Sequence, residues 1–173
     1  MVDVERALEE LGKATSRADL FHTAQHIISQ YSIYDLQRVY CHVLRELRYV
    51  PEPYRSLLLL KTLELLFGTY QRARSHRSPP EPELPVDEMR IGSFVSEARV
   101  AIEDSKDREE ALLHYVLSGY RLFVEGLPGH PEGMPFPGGL KVRRTNGVYY
   151  CPVRDKEDDV VGALCKYCGA KQM

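Results

Sequence analysis

Between residues 126 and 139, nine of fourteen residues are glycine or proline. Neither a helix nor a β-ladder runs through such a segment, because proline lacks the amide donor and glycine is costly to order. The run therefore divides the chain. Ahead of it, residues 1–125 carry apolar residues at helical spacing. Behind it, residues 140–173 carry short β-favouring runs and three of the four cysteines. This predicts an all-α bundle of about six helices over 1–125. Residues 126–173 form a Gly/Pro arm, a hairpin and a cysteine-rich tail, as part of the same domain or a small appendage.

The helices can be placed from their apolar stripes and caps. Val4, Ala7, Leu8 and Leu11 mark one face of a first helix. Ser16 with Asp19, and Ser32 with Asp35, are capping boxes that open a second and a third helix. The third presents Leu36, Tyr40, Val43, Leu44 and Leu47 and is stopped by Val50-Pro51-Glu52-Pro53. A fourth spans about 54–75. Its leucines at 57–60 cover every side, which predicts a central position. Residues 78–85 hold four prolines and read as a linker. The fifth and sixth helices cover about 87–104 and 107–125.

Beyond the arm, residues 140–144 and 148–151 flank Thr145-Asn146-Gly147. Asn-Gly between β-favouring runs signals a tight hairpin, since a primed turn needs positive φ at both central residues. The arm is expected to project this hairpin away from the bundle. The most apolar stretch, residues 57–67, is broken by Lys61 and Glu64 and falls short of the roughly 20 residues of a membrane span. The opening Met-Val-Asp-Val-Glu-Arg has no basic-then-apolar pattern of an export signal, so a cytoplasmic location is expected.

In such a reducing compartment, clustered cysteines point to metal or redox chemistry rather than disulfides. Cys165-Lys166-Tyr167-Cys168-Gly169 can present two sulfurs to one ion, with the glycine letting the backbone curl away. Cys151, at the end of the second hairpin strand, supplies a third. Zinc in a knuckle-like site is the leading expectation. An iron–sulfur cluster uses the same ligands, and Pro152 directly after Cys151 suits it. Two residues compete for the fourth position. Cys41 lies about 120° from the centre of its helix's apolar stripe, and His130 sits in the Gly/Pro arm.

Other candidates have plainer explanations. His22 and His26 share one helix face but lack a carboxylate partner. His114 likewise falls opposite its apolar stripe. Arg72, Arg74, His76 and Arg77 close the fourth helix, where cations offset the helix dipole. Glu103, Asp104, Asp107, Glu109 and Glu110 cluster at a helix junction, where capping and solvation account for them. Charge is uneven. Residues 140–173 hold seven Lys/Arg against four Asp/Glu, and residues 1–139 hold sixteen against twenty-one. Lys141, Arg143 and Arg144 concentrate on one hairpin strand and suit a protein partner. A nucleic-acid surface is the minority reading, for no RNA-binding motif accompanies them. The sequence contains no phosphate loop, nucleophile elbow or zinc-protease helix motif.

Three tail segments, Phe136-Pro-Gly-Gly-Leu-Lys-Val, Gly147-Val-Tyr-Tyr-Cys-Pro-Val-Arg-Asp-Lys156 and Gly162-Ala-Leu-Cys-Lys-Tyr-Cys168, resemble an uncharacterised family of archaeal proteins known mainly from methanogens. Tyr49-Val-Pro-Glu-Pro-Tyr-Arg55 and Phe67-Gly-Thr-Tyr70 are similar as well, so the resemblance spans most of the chain. It implies an archaeal, strictly reducing setting and brings no catalytic residue with it. Two functions follow as expectations. One is an interaction or accessory module shaped by a structural zinc. The other is a metal- or thiol-dependent enzyme using an open coordination position or the Cys165/Cys168 pair.

Overall fold

The computed structural model describes residues 2–157, 160 and 162–173. Six α-helices are found among them: α1 Val4–Gly12, α2 Arg17–Ser29, α3 Ile33–Glu46, α4 Tyr54–Ser75, α5 Glu88–Glu103 and α6 Arg108–Gly119. Both expected capping boxes form. Asp19 Oδ2 accepts from the Ser16 amide at 2.9 Å, and Asp35 Oδ2 from the Ser32 amide at 2.7 Å. Hydrogen bonding to the ionised form holds both carboxyls below their ordinary value. The sixth helix stays helical to Val124, but its last turn, Tyr120–Val124, is π-helical, with the Glu125 amide donating to the Tyr120 carbonyl at 3.0 Å.

The main core joins α1, α2, α5, α6 and the second half of α4 through Phe21, Ile28, Ala73, Ile102 and Leu112, all fully buried. Two expectations fail here. Only Leu36 and Val39 of α3 are buried, and on α4 only Leu66, Thr69, Tyr70 and Ala73 are. The first half of α4 lies at the surface rather than in the centre, with Leu57 41% and Leu60 61% exposed. A helix that is apolar all round needs cover on every side, yet its own chain covers one side only. The charged end of α4 is explained within the fold. Arg72 forks onto the almost buried Glu125, with Nε–Oε1 at 2.7 Å and Nη2–Oε2 at 3.0 Å. His76 Nδ1 lies 3.0 Å from Tyr120 Oη.

After the helices come five short strands: β1 Pro135–Phe136, β2 Leu140–Lys141, β3 Arg143–Thr145, β4 Val148–Cys151 and β5 Lys171–Gln172. β3 and β4 form the expected antiparallel hairpin, with Asn146 at φ 50° and Gly147 at φ 80° in its turn. The run expected as one strand over 140–144 is split, because Val142 turns inward and is 2% exposed. β2 pairs back onto β1, while β5 adds to β4 in parallel, with Cys151 opposite Gln172.

The tail does not project from the bundle. Met134, Val142, Cys151 and Ala170 make a small second core against Leu58 of α4. Gly133 sits so close to the Lys61 stem that a Cβ there would lie 3.1 Å from its Cε. Tyr167 goes further and enters the main core, 5% exposed, edge-on to Phe94 and Phe123 at ring-centroid distances of 5.5 and 5.9 Å. Its hydroxyl hydrogen-bonds Ser93 Oγ at 2.8 Å, and its carbonyl accepts from Arg90 Nη2 at 2.9 Å. Lys166 pairs with Glu97 beside it.

Candidate functional site

The cysteine tail is assembled by β4–β5 pairing. The parallel register sets the residues just ahead of β5 against the end of β4, so Cys168 packs on the small core that contains Cys151. Cys165 and Cys168 span one 3-10 turn, in which the Cys168 amide donates to the Cys165 carbonyl at 3.0 Å. The C-terminal end ties the loop in place: Gln172 Nε2 donates to the Pro152 carbonyl at 3.0 Å and its Oε1 accepts from the Asp155 amide at 2.8 Å.

The sulfurs sit among donors. Cys168 Sγ accepts from the Gly129 amide at 3.4 Å and from the Ala170 amide at 3.5 Å. The amides of Val153 and Arg154 serve Cys151 in the same way. Burial is nevertheless the first influence on Cys151 and pushes its thiol up, helped by repulsion from Cys168. Cys165 is pushed up to about 11, by burial first, then by Cys151 and Cys168, with Glu157 adding and Arg154 opposing. Sulfurs whose thiolate forms repel one another in partly buried surroundings favour a cation among them, which would reverse both effects. As they stand, no three His, Cys, Asp or Glu side chains among the described residues are arranged to hold a metal ion.

The two expected fourth ligands fare differently from the trio. Cys41 is exposed on α3, in a groove whose lining includes no tail residue. The His130 ring meets Phe136 edge-on at 5.4 Å. Burial, Arg121 and then His114 hold its pKa down. Its neighbour Gly129, by contrast, reaches Cys168. Sequence reasoning missed Arg154 and Glu157. Arg154 Nε donates to the Cys168 carbonyl at 3.2 Å. Both lie in the loop that follows Cys151, where charged residues between candidate ligands were the available signal.

Lys141, Arg143 and Arg144 are all exposed. None forms an ion pair among the described residues, with Lys141 on β2 and Arg143 and Arg144 on β3. Arg144 stacks over Tyr149, 5.2 Å from the ring centroid.

A second feature adjoins the small core, since Leu58 also lines it. α3, α4 and α6 enclose a groove of about 1690 Å³ with an aliphatic floor. His42 bridges its walls, with Nε2 3.0 Å from Glu46 and Nδ1 3.0 Å from Glu110 of α6. His114 lines this groove with its side chain solvent-exposed, and desolvation by the surrounding protein lowers its pKa against a weaker pull from Glu46. His22 and His26 are solvent-exposed, and Asp107 caps α6 through the Glu110 amide at 3.0 Å. No helix among the described residues is long and apolar enough to cross a membrane.

Comparison with known proteins gives a consistent result. Residues 16–173 match the family described as an uncharacterized protein conserved in archaea (DUF2115). A UPF0305 protein of Methanothermobacter thermautotrophicus is 31% identical over 157 residues, covering 88% of this chain and 94% of the relative. The UPF0305 protein MK0666 of Methanopyrus kandleri is 35% identical over 131 residues, 74% of this chain and 91% of the relative. The UPF0305 protein MJ0646 of Methanocaldococcus jannaschii is 25% identical over 157 residues, 90% and 95%. No solved structure matches. With α2–α6 and the cysteine tail inside the matched region, the chain belongs to this conserved archaeal family.

Proposed function

We propose that this protein is an accessory module in which Cys151, Cys165 and Cys168 hold a structural zinc ion, and the tail so fixed offers Lys141, Arg143 and Arg144 to an acidic protein partner. The observation that carries the reading is the packing of Cys168 against the core containing Cys151, with two backbone amides donating to its sulfur. Amide donors toward a buried sulfur stabilise thiolate, the form that ligates zinc. Coordination draws the sulfurs to about 2.3 Å from the ion, and His130 or Glu157 completes the tetrahedron. A closed set of this kind fixes shape and leaves no position for substrate.

Metal analysis of anaerobically purified protein, together with cobalt substitution, tests the metal. The expected result is one zinc per chain, a cobalt form with intense thiolate charge-transfer absorption, and loss of both in Cys165→Ser with Cys168→Ser. Reduced protein that binds neither ion overturns the zinc site. Iron with acid-labile sulfide replaces zinc by a cluster. The partner surface is tested by changing Lys141, Arg143 and Arg144 together to Ser. Changing these exposed residues should leave stability within about 0.5 kcal/mol, while a specific partner recovered from archaeal extract is lost. A triple variant that keeps every partner removes that half of the proposal.

A further inference from the structure

The exposed half of α4 and the outer side of α3 form one continuous apolar face. At 100° per residue, Ile33, Tyr40 and Leu44 align on α3, and Leu60, Leu63 and Phe67 align on α4. Ile33 is 55%, Leu44 39% and Leu60 61% exposed. The two rows flank a shallow cleft of about 260 Å³ lined by Gln37, Tyr40, Leu63 and Phe67. The buried residues of α4, Leu66, Thr69, Tyr70 and Ala73, centre about 100° around the helix from this row.

We propose that this α3–α4 face is the interface of a two-fold symmetric homodimer, packed against the same face of a second copy. Area and charge select that occupant. These side chains, with Leu57 beside them, offer on the order of 500 Å² of apolar surface per chain. Two copies thus bury roughly 1,000 Å², the lower limit for a specific interface. An isologous contact sets a face against itself, so it excludes a strong charge of either sign. Residues 32–67 carry five Lys/Arg against four Asp/Glu. Several are matched locally: Arg55 with Glu52 at 2.6 Å, Lys61 with Glu64 at 2.7 Å and Arg38 with Asp35 at 3.6 Å. A nucleic acid or a highly charged peptide finds little to meet here. A second copy supplies the aliphatic cover that α4 lacks, as two helical hairpins crossing in a four-helix arrangement.

Sedimentation velocity on the full chain, zinc-supplemented and with reductant to keep exposed Cys41 from cross-linking, decides the matter. From low micromolar concentration upward, the expected species has twice the chain mass of 19.8 kDa. Leu60→Glu with Leu63→Glu sets charges into the seam and should weaken association at least about 100-fold. Leu60 is 61% exposed in the single chain, so Leu60→Glu alone should weaken association in the same direction while its circular dichroism and thermal midpoint scarcely move. Met89→Glu, on α5 and 87% exposed, should leave the dimer intact. A monomer at hundreds of micromolar overturns the proposal. So does a dimer that survives the double substitution, or one that Met89→Glu dissolves equally well.

Discussion

Replacing Tyr167 by alanine tests whether the cysteine tail is part of the helical core. The ring is 5% exposed and edge-on to both Phe94 and Phe123. Truncating a buried aromatic to alanine costs about 3–5 kcal/mol, from lost transfer energy and the cavity left behind. Two favourable ring pairs put this site in the upper half of that range. For a domain of this size, each kcal/mol moves the thermal midpoint by about 2–4 °C. The expected fall is therefore on the order of 10 °C. Tyr167→Phe keeps the packing and loses only the hydroxyl's bond to Ser93, which predicts about 1 kcal/mol. The assay is denaturant and thermal unfolding of metal-loaded and chelated protein, followed by far-ultraviolet circular dichroism. That signal comes almost entirely from α1–α6, so the tail registers only if it supports them. A Tyr167→Ala effect below about 1 kcal/mol on helix unfolding refutes the integral-tail reasoning. A Tyr167→Phe effect as large as that of alanine shows that packing is not the cause.

Two further outcomes concern charge, one at the almost buried Glu125 and one at the exposed His114. Glu125→Gln removes the acceptor fork for Arg72 beside the buried Arg121. Breaking a buried pair costs about 3–5 kcal/mol. Arg72 retains 36% side-chain exposure, so solvent screening lowers the expected loss to about 2–3 kcal/mol. Urea midpoints measure it, and an unchanged midpoint rejects the role. His114 has a folded-state pKa below its ordinary 6.5, so the unfolded chain takes up the proton first as pH drops. Its contribution is fully present above 6.5 and is lost as pH falls through the depressed value. Stability should decline from pH 7 downward, before the capping carboxylates matter, and more gently in His114→Gln. Parallel pH profiles for the two proteins contradict this.

Local chemistry made much of the fold legible. Ser16 with Asp19 and Ser32 with Asp35 cap helices because each pair meets within one turn. Asn146-Gly147 makes its hairpin because the turn needs nothing beyond its own backbone angles. The run of residues 126–139 ends the helical part because proline and glycine act on the chain they occupy. Even the cysteine spacing is local for Cys165 and Cys168.

Partnership between distant segments was not legible. Two-residue β5 has no pattern to announce it, yet its pairing with β4 across twenty residues brings Cys168 beside Cys151. Val142 reads as an ordinary strand residue, and only the small core against Leu58 explains why it turns inward and splits the strand. Tyr167 looked like a spacer between two ligands, but the space between Phe94 and Phe123 made it a core residue. Sequence alone determined that α4 is apolar on all sides and must be covered. Tertiary structure decided which side this chain covers, because burial depends on surfaces meeting in space and not on one segment's periodicity.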